Sequence, residues 1–81
     1  MNFSDLILNM RQKTLLTQDR FANEIQVSVS TVNRWESGSV IPNVTAMKHI
    51  KEFCEKYELP FNEIEHEWMT ITKERKERKR K

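Results

Sequence analysis

Val29, Ser30, Asn33, Arg34 and Ser37 recur at separations that a helix would gather on one side. Together they form a particular chemical set. Arginine offers paired donors for the two acceptors of guanine, and asparagine matches the acceptor and donor of adenine. Valine can touch the thymine methyl, while serine suits several base edges. Short side chains at the start of such a helix would also let it approach a major groove closely. A plain amphipathic helix has a polar outer face as well, so the weight rests on the identity of these residues, not on their polarity. Other chemistry-bearing residues offer less. HEWMT, His66 to Thr70, lacks the second histidine of a zinc-protease motif. Glu63, Glu65, His66 and Glu67 could bind a metal but read more simply as a solvated acidic face. His49 sits among charged residues and reads as exposed. Cys54 reads as a small apolar filler on a helix. No phosphate loop is present, and no nucleophile has a readable base and orienter. The expectation is therefore no catalytic residue, no metal and no cofactor.

The reading set must be placed on an element, and its own segment is ambiguous. VSVSTVNRWESG, Val27 to Gly38, begins by alternating apolar and hydroxyl residues as a strand would. It ends, however, as a helix does, with a glycine placed for a left-handed turn. The chain has one glycine and two prolines, which leaves little strand-and-turn punctuation and predicts a largely helical fold. Helix starts carry a repeated device, a capping residue preceded by an apolar residue that can pack on the next turn. Ser4 is expected to cap a first helix, with Phe3 against Leu8. Thr17 caps a second, with Leu16 against Phe21, and Ser28 a third, with Val27 against Val32. Asn43, after Pro42, caps a fourth that carries Met47, Ile50, Phe53, Cys54 and Tyr57 at helical spacing. A fifth opens near Pro60 to Asn62 and bears Phe61, Ile64, Trp68 and Ile71. In the third helix Val32 and Trp35 then face inward, opposite the reading set. The β-branched residues there cost only a few tenths of a kcal/mol each in helix propensity.

Length and charge bound the rest. Eighty-one residues suit one small domain, and a single cysteine excludes an internal disulfide framework. The N-terminus MNFSDLILNM has no basic n-region or cleavage site, and no apolar run has membrane-spanning length, so a cytoplasmic location without membrane contact is expected. The net charge of +2 hides a segregation. KERKERKRK, Lys73 to Lys81, holds seven basic and two acidic residues, whereas the remaining seventy-two hold seven and ten. Arg11 to Lys51 is net basic and Glu52 to Glu67 strongly acidic, so a polyanionic partner would meet the former. With no apolar residue to bury, Lys73 to Lys81 is expected to be a frayed or disordered basic tail, and residues 1–72 the domain.

LTQDRFANEIQVSVSTVNRWESGSVIPN, Leu16 to Asn43, closely resembles the Cro/repressor-type (Xre-like) helix-turn-helix family. The resemblance rests on Gln18, Phe21 and Ala22, then on Val27, Ser28, Thr31, Val32, Trp35, Glu36 and Gly38, with Pro42 beyond and Arg11 before. It covers roughly residues 3 to 57. It implies a compact all-α fold of five helices in which the third lies in the major groove and the second crosses the backbone. By the same resemblance Val29, Ser30, Asn33 and Arg34 read bases, and Gln18, Thr31 and Ser37 meet phosphate. Arg11 and Glu36 match an ion pair that joins the first and third helices in relatives. Two departures stand out. Gln26 occupies a turn position that is usually glycine, and the loop Ser37 to Asn43 lacks the basic residues often found there.

These expectations amount to a sequence-specific DNA-binding transcription regulator, with repression as the family's usual outcome. One module makes few base contacts, so a homodimer on a palindromic double-stranded operator is expected, with Phe61, Ile64, Trp68 and Ile71 as a candidate dimer seam. Two alternatives remain open, an antitoxin or adaptor that binds a protein, and the DNA-recognition piece of a larger DNA-modifying enzyme.

Overall fold

The computed structural model describes residues 1–79, which form five α-helices and, among the described residues, no strand. They are α1 (Phe3–Lys13), α2 (Gln18–Glu24), α3 (Val29–Ser37), α4 (Val44–Lys56) and α5 (Asn62–Lys79). The architecture is the all-α one expected from the scarcity of glycine and proline. Thr17, Ser28 and Asn43 cap α2, α3 and α4, each side-chain oxygen accepting the backbone N–H three residues on. That contact satisfies a donor the first turn would otherwise leave orphaned. The expected cap at Ser4 is corrected. Asn2 caps α1, its Oδ1 accepting from the Asp5 N–H at 2.9 Å, and the Ser4 hydroxyl donates to that same oxygen at 2.8 Å. Asparagine is as good a cap as serine, and starting the helix at Phe3 lets that ring sink into the core.

The first four helices all close in the same way. A residue with positive φ follows each, Leu15, Gln26, Gly38 and Glu58. The next N–H then reaches back five residues: Leu16 to the Arg11 carbonyl, Val27 to Ala22, Ser39 to Arg34 and Leu59 to Cys54. These are Schellman closures, and Leu16, Val27 and Leu59 pack their apolar side chains back on the core. Only Gly38 advertises such a turn in the sequence. The other three force a side chain into a region that costs about 1 kcal/mol.

Ile7, Phe21, Ile25, Val32 and Ile50 are fully buried, and Phe21 meets the Phe53 ring edge-on at 5.0 Å. Cys54 is buried with them as the filler expected, its Sγ 3.3 Å from Met10 Sδ. His49 is not the free surface group expected. Its ring is partly buried and Nδ1 lies 3.0 Å from the Ile25 carbonyl, so it donates there and braces the end of α2. The helix opening at Asn62 packs Ile64 into the core and lays Phe61, Trp68 and Ile71 against it. Trp68 also donates its indole N–H to the Pro42 carbonyl at 2.7 Å. Of the four residues of the candidate seam, Ile64 is thus buried within its own chain, while Phe61, Trp68 and Ile71 are only partly covered by it.

Helix α5 is described through Lys79 and so takes in most of the expected basic tail, Lys73 to Lys81. Arg80 and Lys81, the end of that tail, lie outside the described residues.

Candidate nucleic-acid interface

The two short helices α2 and α3 are joined by Ile25–Ser28 and pack closely on each other. Helix α3 is anchored by Val32 and Trp35, at 0% and 2% exposure, each worth about 1.5–3 kcal/mol of burial. That anchoring fixes which way its other face looks. Val29, Ser30, Asn33, Arg34 and Ser37 are all exposed on one continuous surface, while Thr31 is half-buried beside them. The hydroxyls are partly engaged already. Ser30 Oγ lies 3.1 Å from Ser28 Oγ, Thr31 Oγ1 lies 2.9 Å from the same atom, and Ser37 donates to the Arg34 carbonyl at 3.1 Å. The free-reaching functional groups of the face are therefore those of Asn33 and Arg34.

Behind that face sits a polar cluster that joins three helices. Arg11 holds Glu36 with two donors, Nε to Oε2 at 2.7 Å and Nη2 to Oε1 at 3.1 Å. Its third donor, Nη1, reaches the Leu16 carbonyl in the α1–α2 turn at 3.0 Å. Gln18 adds a bond from Nε2 to Glu36 Oε1 at 2.9 Å. The Glu36 hydrogen bonds push the Arg11 guanidinium above its ordinary pKa, so it stays cationic wherever the protein is folded. With 16% and 7% side-chain exposure, the pair is largely out of water, and its fork geometry is what such a site requires. The cluster holds α3 at a set angle to α1 and α2. The Gln18 arm is a contact that sequence reasoning missed, since it treated Gln18 only as a phosphate ligand. The signal available was the lone acceptor capacity left on a carboxylate paired with one arginine.

The turn between α2 and α3 keeps a positive φ at Gln26, +62°, without glycine. The His49 bond to the Ile25 carbonyl stiffens the residue before it. The loop after α3 carries no cation. Val40 is 40% exposed, Ile41 is half-buried on the core, and Pro42 is buried. Glu63, Glu65 and His66 are exposed on α5, and among the described residues no group of three or more His, Cys, Asp or Glu could hold a metal ion. Among the same residues no helix is long and apolar enough to cross a membrane.

A family model described as helix-turn-helix matches residues 7–62, which takes in most of α1 and all of α2, α3 and α4. The HTH-type transcriptional activator BcrR of Enterococcus faecalis is 34% identical over 53 residues, covering 65% of this chain and 26% of that protein. The chain thus spans at most about two fifths of the relative's length, and the matched part about a quarter. No solved structure gives a significant match. With a family model matching well over half its length, and with the capped α2, the tight turn and the anchored α3 in one register, the chain belongs to the Cro/repressor-type helix-turn-helix family.

Proposed function

We propose that the protein is a non-enzymatic, sequence-specific DNA-binding transcription regulator that reads a major groove with the exposed face of α3. The observation that carries this is a base-matching set, Val29, Ser30, Asn33 and Arg34, exposed on a helix whose opposite face and angle are fixed by the core and by Glu36. Preorganisation of this kind means that little ordering cost falls on binding. Phosphates are met by Gln18 at the start of α2 and by Thr31 and Ser37 at the flanks of α3. The operator is a palindrome bound by two protomers, because one short helix contacts too few bases for a genome-scale search. Occupying an operator represses unless a further contact recruits transcription, and repression is the outcome proposed.

Selection of bound fragments from genomic DNA is the direct test. It should return one motif with two inverted half-sites about one helical turn apart, or a multiple of it. Recovery of no motif would overturn the reading. A reporter behind the recovered motif then fixes the sign, and increased expression would place the protein with its activator relative instead.

The shares covered favour one second reading of scale. Since the matched region is a quarter of BcrR, the domain works equally well as the recognition module of a longer regulator. Fusing residues 1–81 to an unrelated effector domain and finding it delivered to the same motif would support this.

A further inference from the structure

The basic end of α5 lies outside the base-matching set on α3, and the family match stops at residue 62, before it begins. We propose that Lys73–Lys79 is a second DNA-contacting element, a helical strut that binds the phosphate backbone beside the C-terminal end of α3. The proposal rests on the DNA-binding reading and deepens it.

Three observations bring the segment to that place. Ile71 shares a cavity of about 220 Å³ with Trp35, Gly38, Val40 and Ile41, so α5 passes directly behind the end of α3. The next two residues, Thr72 and Lys73, line a groove with Ile41, Pro42, Asn43 and Val44 beyond the end of α3. The Trp68 bond to the Pro42 carbonyl fixes α5 against that loop. Beyond Ile71 the helix runs to Lys79, about 12 Å further at a rise of about 1.5 Å per residue. A major groove is itself about 12 Å wide, so this length is enough to carry charge from the loop towards a bordering phosphate strand.

Charge gives the segment its partner. Ser37 to Asn43, the segment that ends α3 and leads to α4, contains no lysine or arginine. The first seventy-two residues hold seven basic against ten acidic groups, so a polyanion is repelled overall. Lys73 to Lys81 reverses that balance with seven basic against two acidic. The charge that the α3–α4 loop lacks is thus present in the sequence that continues α5 beyond Thr72. Because backbone contacts carry no sequence information, the strut adds affinity to every DNA sequence alike.

The test uses the full chain with Lys73→Gln, Arg75→Gln, Lys76→Gln, Arg78→Gln and Lys79→Gln combined, since glutamine keeps helix propensity. Circular dichroism and thermal unfolding check that the fold survives. Affinity is then measured on the preferred operator and on random DNA from about 50 to 200 mM salt. The expected result is a loss of about tenfold or more on both, with a log–log salt slope shallower by about 0.9 for each phosphate contact removed. Base preference should persist. An unchanged slope overturns the strut, as does a change in base preference, which would mean groove reading. Tighter DNA binding by the variant also overturns it, since the segment would then be competing with DNA. So would loss of binding only to anionic lipid vesicles, which would make a membrane surface the partner. Failure of the wild-type chain to bind any DNA would instead defeat the underlying functional reading.

Discussion

Asn33 and Arg34 differ from their neighbours on α3 in having functional groups that reach outward, while the serine hydroxyls beside them are partly engaged locally. Their loss should therefore be felt in discrimination. Arg34→Ala and Asn33→Ala are each expected to weaken the preferred operator by about 1–3 kcal/mol, with little change on random DNA. Titration of both sequences checks this, and equal losses on the two would remove them from base reading. Gln18 is a different case because Glu36 already holds its amide. Gln18→Ala should lower fold stability by about 0.5–1.5 kcal/mol and weaken all DNA together, a pairing that a pure phosphate ligand would not give. Cys54 offers a prediction in pH. Burial, with a smaller effect of Glu55, raises its thiol from 9.0 to about 11. Below pH 9 the thiol is neutral whether the chain is folded or not, and its contribution is fully present. As pH rises from 9 through 11, the unfolded chain ionises first and stability falls, by up to about 3 kcal/mol. Urea unfolding between pH 8 and 11 should show this extra decline in the wild type and not in Cys54→Ala. Parallel curves would mean that the thiol is not held neutral.

At the scale of elements, the helix starts were legible and the helix ends mostly were not. Capping depends on a few side chains that announce themselves, and Thr17, Ser28 and Asn43 do so. At the N-terminus two good caps stand close together, and burial of Phe3 decides for Asn2, which no local rule could supply. The closures at Leu15 and Glu58 could not be read, because nothing about leucine or glutamate marks a left-handed residue. The turn at Gln26 was legible only through the family's usual glycine. These positions are testable strain. Gln26→Gly should stabilise the fold by up to about 1 kcal/mol, raising the melting temperature by about 4–8 °C. Leu15→Gly is the matched comparison, since that side chain is 91% exposed and little is lost with it. A lower melting temperature in both would show that these side chains contribute more than their backbone costs.

For the whole molecule, the apolar residues of α5 pack, fully or in part, on the protein's own core. Helical periodicity places such a stripe on one face but does not say whose surface it meets. Trp68→Ala would remove a contact with the core and the bond to the Pro42 carbonyl, so it is a poor probe of assembly. What α5 leaves outside is Met69, 57% exposed, next to Val44 at 59% in a shared groove beside the α3–α4 loop. If two protomers meet on a palindrome, this strip offers an apolar surface near the end of the reading helix. Met69→Asp should leave melting unchanged and abolish cooperative filling of the two half-sites, as read by sedimentation and footprinting on one-site and two-site DNA. Unaltered cooperativity would place the contact elsewhere or make each protomer bind alone. The division of α3 into a buried and an exposed side has a consequence for retargeting. Val29, Ser30, Asn33 and Arg34 contribute no buried side chain, so exchanging them should shift stability by only about 0.5 kcal/mol each. The scaffold would then act as a socket into which other four-residue codes could be written, giving a family of orthogonal regulators from one fold.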